Sequence, residues 1–267
     1  MPAGEIEDMA ENPMLGFHES PPDTDEPSPL ARIREEHVLA ERVAFLEKAP
    51  LFSVLEQSDL RLLAKKFHAV RYRRGEAIFR EGEPAERLFL ISTGRVKLSI
   101  GSPNGQELLI GVLGPGQIFG ELAVIDRGPR AMNARAMEAA DLYALDADVF
   151  WTMLENRATL ARRLLELMAR RLRRADQTSQ DLVFFDTPTR LARRLLELAE
   201  EHGEPAGDGD EICIAVRVTQ EEIAQMIGTT RGSVNRLIAS FAGRGWIDWN
   251  DGRPIILRPE ALMRRAR

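Results

Sequence analysis

Phe119-Gly120-Glu121-Leu122-Ala123, followed after a short spacer by Gly128-Pro129-Arg130-Ala131, is the stretch on which the reading of this chain turns. A Gly-Glu pair opening a helical turn presents backbone N–H groups to an anion, and Arg130 supplies a charged fork for the same phosphate. Glu121 repels a phosphate, so its natural role is to accept a hydrogen bond from a sugar hydroxyl. Phosphate and ribose read together are the chemistry of a cyclic-phosphate pocket.

The residues around this stretch, Phe45 to Asp148, are short apolar runs punctuated by glycine. Arg74-Gly75-Glu76, Glu81-Gly82-Glu83, Thr93-Gly94-Arg95, Asn104-Gly105-Gln106 and Gly114-Pro115-Gly116 are turn signals. Between them Leu88-Phe89-Leu90-Ile91, Val96-Lys97-Leu98-Ser99-Ile100 and Leu108-Leu109-Ile110 read as strands, which predicts a sandwich or barrel. A metal-binding barrel needs clustered histidines, and this segment holds only His68. Neither a metal nor haem is expected.

From Thr152 to Leu182 the periodicity becomes helical. Leu154, Leu160, Leu164, Met168, Leu172, Ala175 and Leu182 recur at intervals of three, four or their sums, with arginines on the other faces. Such a stripe suits a two-stranded coiled coil; one long helix packed on its own barrel is the alternative. Asp186-Thr187-Pro188 then caps a new helix, so the chain breaks and restarts there, a candidate hinge.

Near the C-terminus Thr219 and Glu222 form a capping box. Ala224 is small enough for a second helix to approach, Gly228 suits a tight turn, and Val234 packs back into the crossing, leaving Arg231 and Arg236 outward. The spacing is that of a helix-turn-helix, with an ordinary helical hairpin as the alternative. Trp246 to Trp249 and Pro254 to Leu257, joined by Asn250-Asp251-Gly252-Arg253, read as a β-hairpin and give a winged variant.

The composition agrees. The 267 residues show no repeat and suit two domains. The net charge of −6 is unevenly spread: residues 1–41 hold 11 acids and 2 arginines, whereas the segment from Cys213 onward holds 9 arginines and 5 acids. Basic charge therefore sits where the nucleic-acid motif is. Residues 1–38, acidic and proline-rich, are expected to be disordered. The single Cys213 rules out a disulfide framework or a cysteine-ligated iron–sulfur cluster. With no run of 18 apolar residues and no secretory signal, a cytoplasmic protein without membrane contact is expected.

Across about residues 40–260 the chain resembles the cyclic-AMP receptor protein / fumarate-nitrate regulator (Crp/Fnr) superfamily of bacterial transcription factors. The resemblance lies in the barrel glycines, Phe119-Gly120-Glu121-Leu122, Pro129-Arg130-Ala131, Met168-Ala169-Arg170-Arg171-Leu172, Phe184-Phe185-Asp186 and Gly228-Thr229-Thr230-Arg231-Gly232-Ser233-Val234-Asn235-Arg236. It implies an α+β chain: a disordered extension over 1–40, a cyclic-nucleotide-binding β-roll over 41–152, a dimerisation helix and hinge over 153–185, and a winged helix-turn-helix over 186–267. It implies no enzyme but a homodimer in which bound nucleotide swings the DNA-reading domains into successive major grooves of a palindromic double-stranded operator, with RNA polymerase as a further partner.

By the same resemblance Gly120 and Arg130 take the cyclic phosphate, Glu121 the ribose hydroxyl and Arg171 a secondary contact, with Phe119, Leu122 and Ala131 flanking them. Thr219, Thr229, Thr230, Arg231, Gly232, Ser233, Asn235 and Arg236 face DNA. Where the cyclic-AMP receptor places Thr and Ser against the adenine, this chain has Ala175 and Asp176. Cyclic AMP is the first expectation for the ligand and cyclic GMP the second; an empty barrel or one for cyclic di-GMP is the third. Gly232 replaces a Glu of the best-known members, and glycine reads no base.

Overall fold

The computed structural model of the chain describes residues 29–101, 107–206, 209–250 and 252–267. The turn expected at Asn104-Gly105-Gln106 and the tail up to residue 28 lie outside the described residues. The expected disorder to residue 40 is cut short by a helix, α1, over Pro29–Lys48. Beyond Pro29 the prolines stop and Leu30, Ile33, Val38 and Leu39 enter the sequence, which removes the obstacle to a helix. Residues from Leu39 to Arg267 form one compact unit. No described helix is long and apolar enough to cross a membrane.

After α2 (Gln57–Lys66) come β1 (His68–Tyr72), β2 (Ala77–Phe79), β3 (Arg87–Thr93), β4 (Val96–Gly101), β5 (Glu107–Leu113) and β6 (Ile118–Phe119). A five-residue helix, α3 (Glu121–Ile125), then precedes β7 (Asn133–Ala136) and β8 (Ala140–Asp146). The strands form two antiparallel sheets, ordered β1-β8-β3-β6 and β2-β7-β4-β5. All three expected strands fall within β3, β4 and β5.

Alternation along β3 explains its continuous apolar run. Phe89 and Ile91 enter a core with Phe79, Val96, Phe119, Ala134 and Leu142. Leu88 and Leu90 point the other way, into a core with Leu46, Leu63 and Phe150 from the helices and Phe52 from the turn between α1 and α2. A strand buried on both faces shows no polar alternation.

The helical periodicity beyond β8 is divided between α4 (Ala147–Asn156) and α5 (Ala158–Phe184), so the domain boundary placed after residue 152 falls inside α4. No Pro or Gly marks the break. Arg157 makes it, with φ −135° and ψ 88°, while its Nε and Nη2 donate to both oxygens of Asp59 in α2, at 2.5 and 2.7 Å. Asp59 is buried, and the Arg157 hydrogen bond holds its carboxyl below the usual range. The stripe along α5 also divides. Leu160 and Leu164 pack into the chain's own β-roll, whereas Leu165 and Leu172 are 70% and 64% exposed.

The C-terminal portion comprises α6 (Thr187–His202), β9 (Gly203–Pro205), β10 (Ile212–Ile214), α7 (Gln220–Met226), α8 (Arg231–Gly243), β11 (Ile247–Asn250), β12 (Arg253–Ile256) and α9 (Pro259–Arg265). Its sheet has the order β11-β12-β10-β9. Leu191, Leu195, Ile223, Val234, Phe241 and Ile256 share a core that also takes in Leu109 and Val112 of β5, so the β-roll and this portion pack together.

The junction of α5 and α6, the candidate hinge, holds an ionic cluster. Asp186 caps α6 by accepting from Thr189 N–H at 2.9 Å, and Arg265 of α9 donates to both its oxygens at 2.7 and 2.8 Å. Arg193 joins Asp181 of α5 (2.6 Å) to the Ala266 carbonyl (2.8 Å), its guanidinium 4.0 Å above the Phe185 ring.

Candidate functional site

Gly120 closes β6 and opens α3 with φ 77°, a left-handed conformation that side chains resist. A Cβ there would stand 2.7 Å from Arg130 Nη1 and 3.2 Å from the Phe79 ring, so both the backbone and the space require glycine. Arg130 is threaded into this corner. Its Nη1 donates to Gly120 O at 2.9 Å and its Nη2 to Arg87 O at 2.7 Å, with the guanidinium 4.2 Å above the Phe79 ring. Its backbone is fixed by Gly82 N–H to Arg130 O and Arg130 N–H to Glu83 O, each 2.8 Å. Burial pushes the pKa of Arg130 down, opposed by the charges of Glu83 and Glu121.

Glu121 is 1% exposed. Its Oε1 accepts from Arg171 Nη1 of α5, whose Nη2 donates to Ile118 O at 2.5 Å. Five buried side-chain polar atoms lack partners among the described residues, and two of them, Glu121 Oε2 and Arg130 Nε, belong to this one site. One accepts and the other donates. A hydroxyl suits the first and an anionic oxygen the second. The site therefore rests on side chains rather than on the dipole of α3, which is barely one turn long.

Gly120, Glu121, Arg130 and Arg171 come together as expected. Phe119 is instead core, its ring stacked 5.3 Å from that of Phe89. Leu122 and Ala131 are exposed, as are Ala175 and Asp176 on α5. The sequence reading missed Phe79, the carbonyls of Arg87 and Ile118, and the backbone of Gly82 and Glu83. Glu81-Gly82-Glu83 signalled only a turn, and carbonyl acceptors leave no mark on residue type.

At the other end, Thr219 accepts from Glu222 N–H at 3.1 Å while Glu222 Oε2 accepts from Thr219 N–H at 2.8 Å, the full capping box of α7. Gly228 turns the chain with φ 62°. Thr229 N–H then donates to Ala224 O (3.0 Å), and Thr230 caps α8. Val234, Ile238 and Phe241 face the core, leaving Arg231, Gly232, Asn235 and Arg236 exposed. Arg236 Nη2 donates to Ser233 Oγ at 3.2 Å, and Asn235 Nδ2 to Gln220 Oε1 at 3.1 Å.

Residues 69–157 match the model of the cyclic nucleotide-binding domain and residues 189–265 that of the Crp-like helix-turn-helix domain. A CRP-like cAMP-activated global transcriptional regulator of Mycobacterium tuberculosis is 38% identical over 222 residues, which is 83% of this chain and 98% of that protein. The chain belongs to the Crp/Fnr family of transcription regulators. A cyclic AMP receptor protein of Thermus thermophilus is 30% identical, over 82% of this chain and 96% of its own. A Crp-family regulator of known structure, also from Thermus thermophilus, superposes with a TM-score of 0.62 at 28% identity, covering 74% of this chain and 96% of its own.

As a Crp/Fnr member the chain is a transcription regulator and not an enzyme, with a cyclic nucleotide-binding domain and a DNA-binding helix-turn-helix. Gly232 is no backbone necessity. It is helical, and a Cβ there would meet only Arg236 Nη1, at 4.0 Å.

Proposed function

We propose that this Crp/Fnr regulator is a homodimer whose affinity for a palindromic operator is raised by cyclic AMP bound at Gly120, Glu121, Arg130 and Arg171. The observation that carries this is the pair of orphaned buried atoms, Glu121 Oε2 and Arg130 Nε. A cyclic nucleotide offers a ribose hydroxyl to the first and a phosphate oxygen to the second. Arg171 stands on α5 and holds Glu121, so occupancy of the pocket is felt by the helix whose exposed Leu165 and Leu172 are left for a partner copy. RNA polymerase is the further partner of the DNA-bound dimer.

Titration calorimetry of the purified protein against cyclic AMP, cyclic GMP and cyclic di-GMP tests the ligand. Cyclic AMP is expected to bind most tightly, and no heat with any of the three defeats the reading. Cyclic GMP is the second reading because the exposed carboxylate of Asp176 pairs with no described residue, Arg173 included, and so is available to the guanine N1–H and N2–H₂ edge. Asp176→Ala then shifts the cyclic AMP to cyclic GMP ratio more than it weakens either ligand.

On DNA, Arg231 and Arg236 each satisfy guanine O6 and N7, giving half-sites centred about one helical turn apart. Arg236→Ala is expected to cost about 1–3 kcal/mol and to relax one base pair. Gly232→Glu should sharpen the neighbouring position, since the side chain has open space. Selection from random oligonucleotides checks both; a consensus without two-fold symmetry contradicts them.

The hinge gives a further expectation. Asp186→Leu should weaken coupling between nucleotide and operator while sparing nucleotide affinity, as it removes the α6 cap and the anchor of Arg265 but no pocket group. The Thr189 hydroxyl and N–H, with Arg265, hold the Asp186 pKa at about 2. Its folded value lies below the ordinary one, so its contribution is complete above the ordinary carboxylate range and is lost as pH falls through about 2. Acid unfolding of wild type and Asp186→Leu should therefore converge at the lowest pH; a constant gap in stability contradicts this.

A further inference from the structure

The segment carrying Arg130 is held by a residue outside the pocket. The last carbonyls of a helix as short as α3 have no partners within it. Asp126 N–H donates to Leu122 O at 3.0 Å, but the ladder goes no further. Gly128 N–H, which would serve Val124 O in a continued helix, turns to Asp126 Oδ1 at 2.9 Å. Val124 O accepts instead from Trp151 Nε1 of α4, at 3.0 Å.

Arg127, between them, has φ 55°, the one positive φ at a non-glycine position among the described residues, even though Gly128 stands beside it. Its guanidinium lies over the Trp151 ring, 5.8 Å from the centroid. One indole thus makes both contacts: its edge takes the carbonyl before the bend and its face takes the side chain at the bend. The indole also borders an open groove of about 720 Å³ beside Pro84, Pro129 and Glu155. Its grip on the loop therefore depends on the two specific contacts more than on packing from every side. Through Arg157 and Asp59, α4 is in turn tied to the body of the roll where α5 begins.

We propose that Trp151 is a positioning residue for the phosphate site: by holding Val124 O and Arg127 it sets the bend that aims Arg130 into the pocket, and nucleotide occupancy is registered at its ring. It touches neither phosphate nor sugar. The ligand half of the proposal rests on the nucleotide reading above; the loop half does not.

Two substitutions separate the contacts. Trp151→Phe keeps a ring beneath Arg127 and removes the N–H, and Trp151→Leu removes both. In the full-length protein without nucleotide, amide exchange over residues 122–130 is expected to rise by about fivefold in Trp151→Phe and further in Trp151→Leu, with the C-terminal portion unchanged. Cyclic AMP affinity should fall in the same order. In a Trp246→Phe/Trp249→Phe background, where Trp151 is the one remaining tryptophan, emission should change on adding cyclic AMP. Unchanged loop exchange in both variants overturns the proposal, as does faster exchange with unaltered cyclic AMP affinity. If wild type binds no cyclic nucleotide, the functional reading fails, and the exchange comparison alone decides whether Trp151 sets the loop.

Discussion

Arg130→Ala should lower cyclic nucleotide affinity by about 2–4 kcal/mol, a loss of roughly thirtyfold to a thousandfold. The guanidinium is enclosed by the Gly120 and Arg87 carbonyls and the Phe79 ring, and its Nε has no partner among the described residues. A phosphate meeting that edge meets a desolvated cation, where a charge-assisted bond is strongest. The truncation frees two carbonyls and opens space above Phe79, but it leaves the backbone pairing of residue 130 with Gly82 and Glu83 available. The roll should still fold. Thermal-shift titration separates the two effects: a protein that melts cooperatively but is no longer stabilised by nucleotide is the expected result. Undiminished stabilisation by nucleotide would remove Arg130 from the site.

Arg171→Ala is the second large effect, of a different kind. Among the described residues its guanidinium is the one side chain hydrogen-bonded to the Glu121 carboxylate, which is 1% exposed, and it also donates to Ile118 O. Losing it leaves a buried charge with both oxygens unpaired, at a cost of about 2–3 kcal/mol in stability. Double substitution with Glu121→Gln should recover part of that stability, because a neutral amide tolerates burial better than an unpaired carboxylate. Coupling should not recover, since the bridge between pocket and α5 is still gone. Denaturant unfolding of the single and double variants gives the stability terms, and operator binding with and without nucleotide gives the coupling. Equal stability of Arg171→Ala and wild type would mean that the pair contributes nothing to holding α5.

Local chemistry was legible in the sequence wherever a residue type is demanded by its immediate neighbours. The Thr219 and Glu222 capping box, the left-handed Gly228 and the Asp186 cap all depend on backbone geometry within a few residues, and each is readable from spacing, whereas the left-handed conformation of Gly120 emerges only from the structure. What escaped depends on partners far apart in the chain. Nothing in Thr152–Leu182 signals a helix break at Arg157, because its cause, Asp59, lies 98 residues earlier. Arg265 and Asp186 are 79 residues apart, and no local pattern announces that a C-terminal arginine pairs with the α6 cap. The apolar stripe was seen as one surface, yet Leu160 and Leu164 turn to the roll while Leu165 and Leu172 stay outside. A periodicity shows that a face is buried without showing against what. At the candidate site, Gly120, Glu121, Arg130 and Arg171 stand out in the sequence by residue type and spacing, whereas Phe79 beneath Arg130 reads there as core alone.

The decisive measurement is the affinity of the full-length protein for its selected operator, with and without saturating cyclic AMP, together with cyclic AMP affinity with and without operator. Coupling of about 1–3 kcal/mol is expected, a tightening of roughly fivefold to 150-fold, and linkage requires the same factor in both directions. Identical operator affinity in the presence and absence of nucleotide would contradict a nucleotide-controlled DNA reader.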